Sequence, residues 1–524
     1  MNSSTTLARN TVRQLIELGI EDAVLSPGSR NAPLSIAFYQ AEQKGLVRLH
    51  VRIDERGAAF FALGISKATG KYVPVVCTSG TAVANYYPAV LEAYHSANKL
   101  LLLTADRPEK LRRTGSNQTT IQKNIFGEFV RQSADTAIPI DLEHLLSGSG
   151  PVHINLQFDE PLLPEDSSDW LSGIKHKAIT QELPKKYELQ ATTKRNVLII
   201  GHDRAGFEVE KIEKLASDLV AVLVVEDPLR FKTAIAHAPI LLSDERAREE
   251  LAPDLAVIIG RTTLSRATNA FIKCAKRTVV IDPRAKEIDS ERSADEILSA
   301  IPIVQGRIEA DKSWIEKWSK YEHYAKESVA NYPEWSEGSL AAQVAEDLEQ
   351  DVALFISSSR PIRDVEAFTK PRADVVTFAN RGLAGIDGNI STAMGIATHF
   401  GETYAILGDL AFLHDVSALS NATGDPLTII VVDNDGGGIF STLPQKDLDG
   451  FEKIFGTPHG LDLAKVVSGF GVSNEVVTSA KELKIALRRI YPGLHVIIAK
   501  MPDRTMNAEY LAKVLATYKE SITL

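Results

Sequence analysis

Tyr404-Ala405-Ile406-Leu407-Gly408-Asp409-Leu410, followed by Leu427-Thr428-Ile429-Ile430-Val431-Val432-Asp433-Asn434-Asp435-Gly436-Gly437, is the stretch on which the fold turns. Each half is an apolar run of strand length that stops abruptly at small and acidic residues. Runs that are apolar throughout, with no alternation, read as strands buried on both faces, as in a parallel sheet covered by helices. Eight more such runs occur, at 73–77, 100–104, 197–200, 220–225, 256–259, 278–281, 352–356 and 495–499, and a further strand is expected at 46–53. Helical-period segments separate them. The alternation predicts an α/β fold of doubly wound parallel sheets, in which ligands sit at the carboxyl ends of strands. Several runs end in residues suited to that edge: Thr78-Ser79-Gly80-Thr81, Thr104-Ala105-Asp106-Arg107-Pro108, Gly408-Asp409 and Asp433-Asn434-Asp435-Gly436.

With 524 residues the chain exceeds one ordinary hydrophobic core. Weakly periodic, Pro-containing stretches from 159 through 186 and at 331–334 suggest three domains: 1–170, 190–320 and 338–524. The composition, 44% hydrophobic and 24% charged, is that of a globular protein. A net charge of −10 repels nucleic acid and anionic membranes at a distance, so neither is an expected partner, and any anion must be bound locally. Cys77 and Cys274 form no CxxC pattern, which argues against a disulfide framework or a zinc site and for a reducing compartment. The opening segment 1–10 has no apolar core of a signal peptide, and no run approaches the roughly 18 apolar residues that span a bilayer. The expectation is a cytoplasmic protein.

Two places carry chemistry. Asp409, Asn434 and the Gly436 carbonyl offer a carboxylate, an amide oxygen and a main-chain oxygen at one sheet edge, the donors a hard divalent cation takes. Glycines beside them let the backbone approach phosphates. The same residues also read as ordinary strand-to-loop turns. In the first third, Glu55 follows a strand and opens an apolar helix, where partial enclosure by hydrophobic side chains would raise its pKa; it also reads as a first-turn acid serving the helix dipole. The central third has no GxGxxG after 197–200, where Gly201-His202-Asp203-Arg204-Ala205-Gly206 stands, so a dinucleotide cofactor is not expected and a structural role is.

Taken together, an activating Glu in the first domain and a Gly-Asp then Asn site in the last resemble the thiamine-diphosphate enzymes of the decarboxylase and acetolactate-synthase kind. Six blocks narrow this to the menaquinone-pathway branch: 25–34, 53–56, 78–85, 103–108, 115–119 and 380–388. The resemblance implies thiamine diphosphate with Mg2+ or Mn2+ as cofactors, and 2-oxoglutarate and isochorismate as substrates. The implied reaction is decarboxylation of the first and conjugate addition of the resulting carbanion to the second. It implies a homodimer or homotetramer. Glu55 would be the catalytic acid. Gly80, Thr81, Gly385, Ile386, Gly408, Asp409, Leu410, Asn434, Gly436, Gly437, Ile439 and Phe440 would surround the coenzyme, with Asp409, Asn434 and Gly436 on the metal. Ser29, Arg30, Arg107, Asn117, Gln118, Arg266, Ser359, Arg363 and Arg381 would meet substrate, whose carboxylates call for guanidinium partners. Ile439, Phe440 and Leu443 would form an apolar wall. Asp433 stands where this family usually has Asn, and a serine stands near Ser359 where Asn is common. Another thiamine-diphosphate decarboxylase acting on pyruvate, or a homologue that binds the coenzyme without turnover, are the competing readings.

Overall fold

The computed structural model describes residues 2–177, 185–190, 192–262, 264–284, 288–289, 293–306, 308–422 and 424–523. Two compact units emerge: Met1–Leu183 with Gly382–Gly401 and His414–Asp425, and Pro184–Arg381 with Glu402–Leu413 and Pro426–Leu524.

In the first unit, strands β1 (Asp22–Leu25), β2 (Arg48–Val51), β3 (Val73–Cys77), β4 (Leu100–Asp106), β5 (Gln132–Thr136) and β6 (Val152–Gln157) make one parallel sheet in the order β2-β1-β3-β4-β6-β5. β3 and β4 are buried along their whole length; β3 is apolar at every position and β4 through Leu103, its buried polar groups, Thr104 and Asp106, falling at the carboxyl end. Edge strands lack that signature: β5 is Gln-Ser-Ala-Asp-Thr and half solvated, and β2 is shorter than the expected 46–53. The stretch after residue 159, expected as a linker, is instead tied to the first helix, Ser3–Glu17. The Ser4 hydroxyl donates to the Asp159 carbonyl, Arg9 pairs with Asp166 at 2.7 Å, and Leu162 and Leu171 enter the core.

The helix Glu55–Thr69 packs along the helix Asn389–Ala397 in this unit. Small residues set the crossing. A methyl group on Gly64 would collide with the Thr392 carbonyl, and one on Gly395 with the Phe61 carbonyl, while Gly57 lies against Ser391.

The second unit holds three sheets. β7 (Glu188–Gln190) pairs with β13 (Ile303–Gln305). β8 (Asn196–Ile200), β9 (Val222–Val225), β10 (Leu255–Ile259), β11 (Arg277–Ile281) and β12 (Glu296–Leu298) form a parallel sheet ordered β12-β11-β10-β8-β9. Val220, expected to begin β9, instead closes the preceding helix with φ 48°. At the switch of strand order, Gly201 abuts the Arg261 carbonyl and the Arg284 guanidinium bridges Asp203 and Asp282. The last sheet contains β14 (Ala353–Ile356), β15 (Val376–Phe378), β16 (Thr403–Gly408), β17 (Leu427–Asp433), β18 (Ser473–Val477) and β19 (Leu494–Lys500), ordered β15-β14-β16-β17-β19-β18. Its strand order repeats that of the first sheet, and the α/β fold of three parallel-sheet domains is the one expected. Both cysteines are free, and no helix among the described residues is long and apolar enough to cross a membrane.

Candidate functional site

β16 and β17 are neighbours, with Gly408 beside Val432, so Asp409 and Asn434 leave the sheet at the same edge. Asp409 is buried. Its Oδ1 accepts the Leu410 N–H at 2.6 Å and its Oδ2 the Gly436 N–H at 2.8 Å, which locks the carboxylate across the mouth of the two strands. Asp435 then takes φ 60° and Gly436 φ 134°, a reversal that needs a residue without a side chain at 436. A methyl group there would collide with the Gly456 carbonyl, and one on Gly437 with that of Phe455. Both glycines are therefore fixed by close backbone approach.

Asn434 is also buried. Its amide N–H donates to Glu337 Oε1 at 2.5 Å, and its Oδ1 has no hydrogen-bond partner. His459 stands over the same edge, its Nε2 3.4 Å from Asp409 Oδ2 and 3.7 Å from Asp433 Oδ1. Asp409, Asp433 and His459 bring three potential ligand atoms within 4.8 Å of one another. The bond to Asp409 raises the His459 pKa above its ordinary value. Because His459 Nδ1 accepts the Leu461 N–H at 3.0 Å, a neutral ring carries its proton on Nε2 and faces the carboxylates as a donor. Asp433 is held by Lys500 at 2.5 Å. An orphaned buried acceptor, an adjoining locked carboxylate and a side-chain-free main-chain turn fit a hard cation with a diphosphate.

Along this sheet edge, Ser359 follows β14 with φ 73°, and its carbonyl accepts the Arg363 guanidinium at 2.7 Å. Arg381, after β15, is buried and donates to the Ser358 hydroxyl at 3.4 Å. Burial, then the nearby charge of Arg381, depresses the Arg363 pKa, so two desolvated guanidiniums lie close together. Ile439 and Leu443 are half-buried, and Phe440 packs against Phe455 with ring centroids 5.5 Å apart. Arg266 stands exposed at the first turn of its helix, and Thr263 of the same block lies outside the described residues.

The first unit assembles a second group of expected residues. Gly80 has φ 89°, and its N–H donates to Gln122 Oε1 at 3.0 Å, immediately before the helix Thr81–Asn85. Arg107 donates to the Ser79 hydroxyl at 2.8 Å and to the Gln118 carbonyl at 2.7 Å, and Gln118 returns a bond to the Ser79 carbonyl at 3.0 Å. Arg30 donates to the Phe158 carbonyl at 3.1 Å and pairs with Glu160 at 3.3 Å; after burial, its charge is the next cause lowering the Arg107 pKa. Ser29 and Asn117 are exposed on these loops. Blocks far apart in sequence thus converge at the carboxyl ends of β1, β3 and β4.

Glu55 is the first residue of its helix, half-buried, with Asp54 as N-cap accepting the Arg56 N–H at 3.0 Å. Burial is the main cause raising the pKa values of the buried Cys77 and Tyr86; their mutual contact lowers that of Cys77 and raises that of Tyr86, and the Glu55 charge adds to the rise in both. Gly385 and Ile386 precede the partner helix Asn389–Ala397. The arm is pinned by buried Glu92, whose two oxygens accept the Gly382 and Leu383 N–H groups at 2.8 Å each. Sequence reasoning missed Glu92, Glu337 and His459. The first two sit in helices and read as surface acids; a histidine between Pro458 and Gly460 downstream of the glycine turn was the one local hint of the third.

Residues 5–126 match the family described as thiamine pyrophosphate enzyme, N-terminal TPP binding domain; 165–356 match the middle domain of thiamine pyrophosphate enzymes, and 364–499 the C-terminal TPP binding domain. Similar proteins include the 2-succinyl-5-enolpyruvyl-6-hydroxy-3-cyclohexene-1-carboxylate synthases of Nocardioides, 38% identical, and Saccharopolyspora erythraea, 36% identical, each alignment covering 95% of both chains. That of Bacillus cytotoxicus is 34% identical over 93% of this chain and 92% of its own.

Proposed function

Since the chain belongs to the thiamine pyrophosphate enzymes, and among them to the 2-succinyl-5-enolpyruvyl-6-hydroxy-3-cyclohexene-1-carboxylate synthases, we propose that it decarboxylates 2-oxoglutarate and joins the four-carbon remainder to isochorismate in menaquinone synthesis. The observation that carries this reading is the meeting, at one sheet edge, of a cation-and-diphosphate cradle with two neighbouring guanidiniums, half-buried Arg363 and buried Arg381. A dicarboxylic oxo acid presents two carboxylates to such partners where pyruvate presents one.

Bound thiamine diphosphate supplies the carbon nucleophile and the electron sink for loss of CO2. Asp409, the Asn434 amide oxygen and the Gly436 carbonyl would hold the cation, Mg2+ or Mn2+. The backbone of Gly408, Leu410, Gly436 and Gly437 lines the diphosphate. Glu55 would hold the proton shared with the coenzyme's aminopyrimidine ring, which Gly80, Thr81, Gly385 and Ile386 would help to seat. Arg363 and Arg381, with Ser359, and Arg30 and Arg107, with Ser29, Asn117 and Gln118, orient substrate carboxylates; Arg266 is assigned here on resemblance. Ile439, Phe440 and Leu443 exclude water, which favours loss of a charged carboxylate. The enzyme acts in the cytoplasm as a homodimer or homotetramer, the assembly its family resemblance implies, and light scattering of the purified protein reads that state.

The deciding experiment supplies purified protein with thiamine diphosphate, Mg2+, 2-oxoglutarate and isochorismate. The expected result is the carboligated adduct by mass spectrometry and CO2 release from 2-oxoglutarate well above that from pyruvate. Preferential turnover of pyruvate, or coenzyme binding without any CO2 release, overturns the assignment.

A further inference from the structure

We propose that Glu337 is a positioning residue that dictates which end of the Asn434 amide faces the cation. The inference rests on reading Asp409, Asn434 and Gly436 as the cation site.

Glu337 lies 97 positions before Asn434 in the chain and opens the helix Glu337–Asp347. A first-turn glutamate ordinarily faces solvent, where it serves the helix dipole at no desolvation cost. This one is 3% exposed. Ser336 already caps the helix, its hydroxyl accepting the Ser339 N–H at 3.4 Å, and Asn507 accepts the Glu337 N–H at 3.1 Å, so the helix start does not depend on the Glu337 carboxylate. That carboxylate points inward with both oxygens engaged. Oε2 accepts the Arg360 Nε–H at 3.2 Å, and Arg360 is bonded in turn to Asp364. Oε1 accepts the Asn434 amide N–H at 2.5 Å.

An asparagine amide has a donor end and an acceptor end of nearly the same shape, so packing alone barely distinguishes them. A carboxylate paired with a guanidinium does distinguish them, because it only accepts. Flipping Asn434 would set its carbonyl oxygen against Oε1, two acceptors in place of a charge-assisted bond. The amide nitrogen is therefore committed to Glu337, and Oδ1 is left turned away, buried and without a partner. That is the ligand atom a hard cation requires, presented before the cation arrives. Gly438 preserves the contact: a methyl group at that position would come within 2.5 Å of the Asn434 nitrogen and 3.4 Å of Glu337 Oε1.

The test is Mn2+ titration of the thiamine-diphosphate-loaded protein, followed by loss of the free-ion electron paramagnetic resonance signal, with melting temperature as a folding check. Glu337→Ala should weaken Mn2+ binding about 10- to 100-fold, the usual effect of removing a group that orients a metal ligand. Raising Mn2+ should restore its kcat towards wild type. Glu337→Gln retains an acceptor but can also donate, so its loss should be smaller than that of the alanine variant; this variant decides the matter if Glu337→Ala does not fold. Asp364→Asn disturbs the same buried network from the far side of Arg360 without touching Asn434, and should stay within about 3-fold of wild type. Unchanged Mn2+ affinity in both Glu337 variants, or an equal loss in Asp364→Asn, overturns the proposal. Asp409→Ala separates the two levels. If it abolishes Mn2+ binding while the Glu337 variants bind normally, only this inference fails; if it binds Mn2+ as wild type does, the cation site itself is misplaced.

Discussion

Replacing Asp415 with Asn should make the first unit progressively more stable than wild type as pH rises. Asp415 is fully buried, its Oδ2 accepting the Ser391 N–H at 2.7 Å and its Oδ1 lying 3.8 Å from the Arg56 guanidinium without a hydrogen bond. Burial outweighs the Ser391 bonds and the Arg56 charge, and the carboxyl is pushed from 3.8 up to about 6. A folded-state value above the unfolded one means that the neutral acid is the form the fold prefers. Its contribution to stability is complete below about pH 3.8 and is lost as pH rises through about 6. The span of roughly two pH units, at 1.36 kcal/mol each, corresponds to about 3 kcal/mol. Asn imitates the neutral acid and does not titrate. Any constant cost of the substitution, such as an unsatisfied amide N–H near Arg56, cancels from the pH dependence. The difference in opening free energy between variant and wild type should therefore grow by about 2.4 kcal/mol between about pH 4 and pH 7.5, the rest of the span falling below pH 4. Hydrogen exchange of the peptide covering the helix Asn389–Ala397, corrected for intrinsic rates, reads it where Asp415 acts. A difference that stays flat across that range refutes the reasoning.

Glu55→Gln should bind thiamine diphosphate within a few-fold of wild type yet slow exchange of the coenzyme C2 proton by about 10²- to 10⁴-fold, followed by NMR; near-normal exchange rejects the assigned role. Arg381→Ala should raise the KM for 2-oxoglutarate by about 10- to 100-fold, equivalent to loss of one charged hydrogen-bonding partner, and an unchanged KM removes Arg381 from the substrate set. Gly64→Ala places a methyl group against the Thr392 carbonyl, a backbone atom that cannot step aside, and should destabilise the first unit by about 1–3 kcal/mol; unaltered exchange protection in the helix Glu55–Thr69 contradicts the close crossing.

What the chain reveals by itself is what repeats along it. All ten buried runs proved to be strands, displaced by at most a few residues, because a strand covered on both faces is apolar along most of its length. Their small and acidic endings put Asp409, Asn434, Gly80 and Arg107 at sheet edges, and those endings are local signals. Strands with a solvated flank, such as β5 and β18, carry polar residues and escaped notice for the same physical reason. Tertiary structure alone decided the remainder. Glu337 and Glu92 are glutamates in helices, indistinguishable in sequence from surface acids, and only packing buries them against Asn434 and against the Gly382–Leu383 backbone. His459 joins Asp409 across 50 positions because the turn at Asp435 and Gly436 brings the later loop back over β16 and β17. A ligand's chemical type is a property of one residue and can be read in a line, whereas its orientation is set by a neighbour that sequence distance hides.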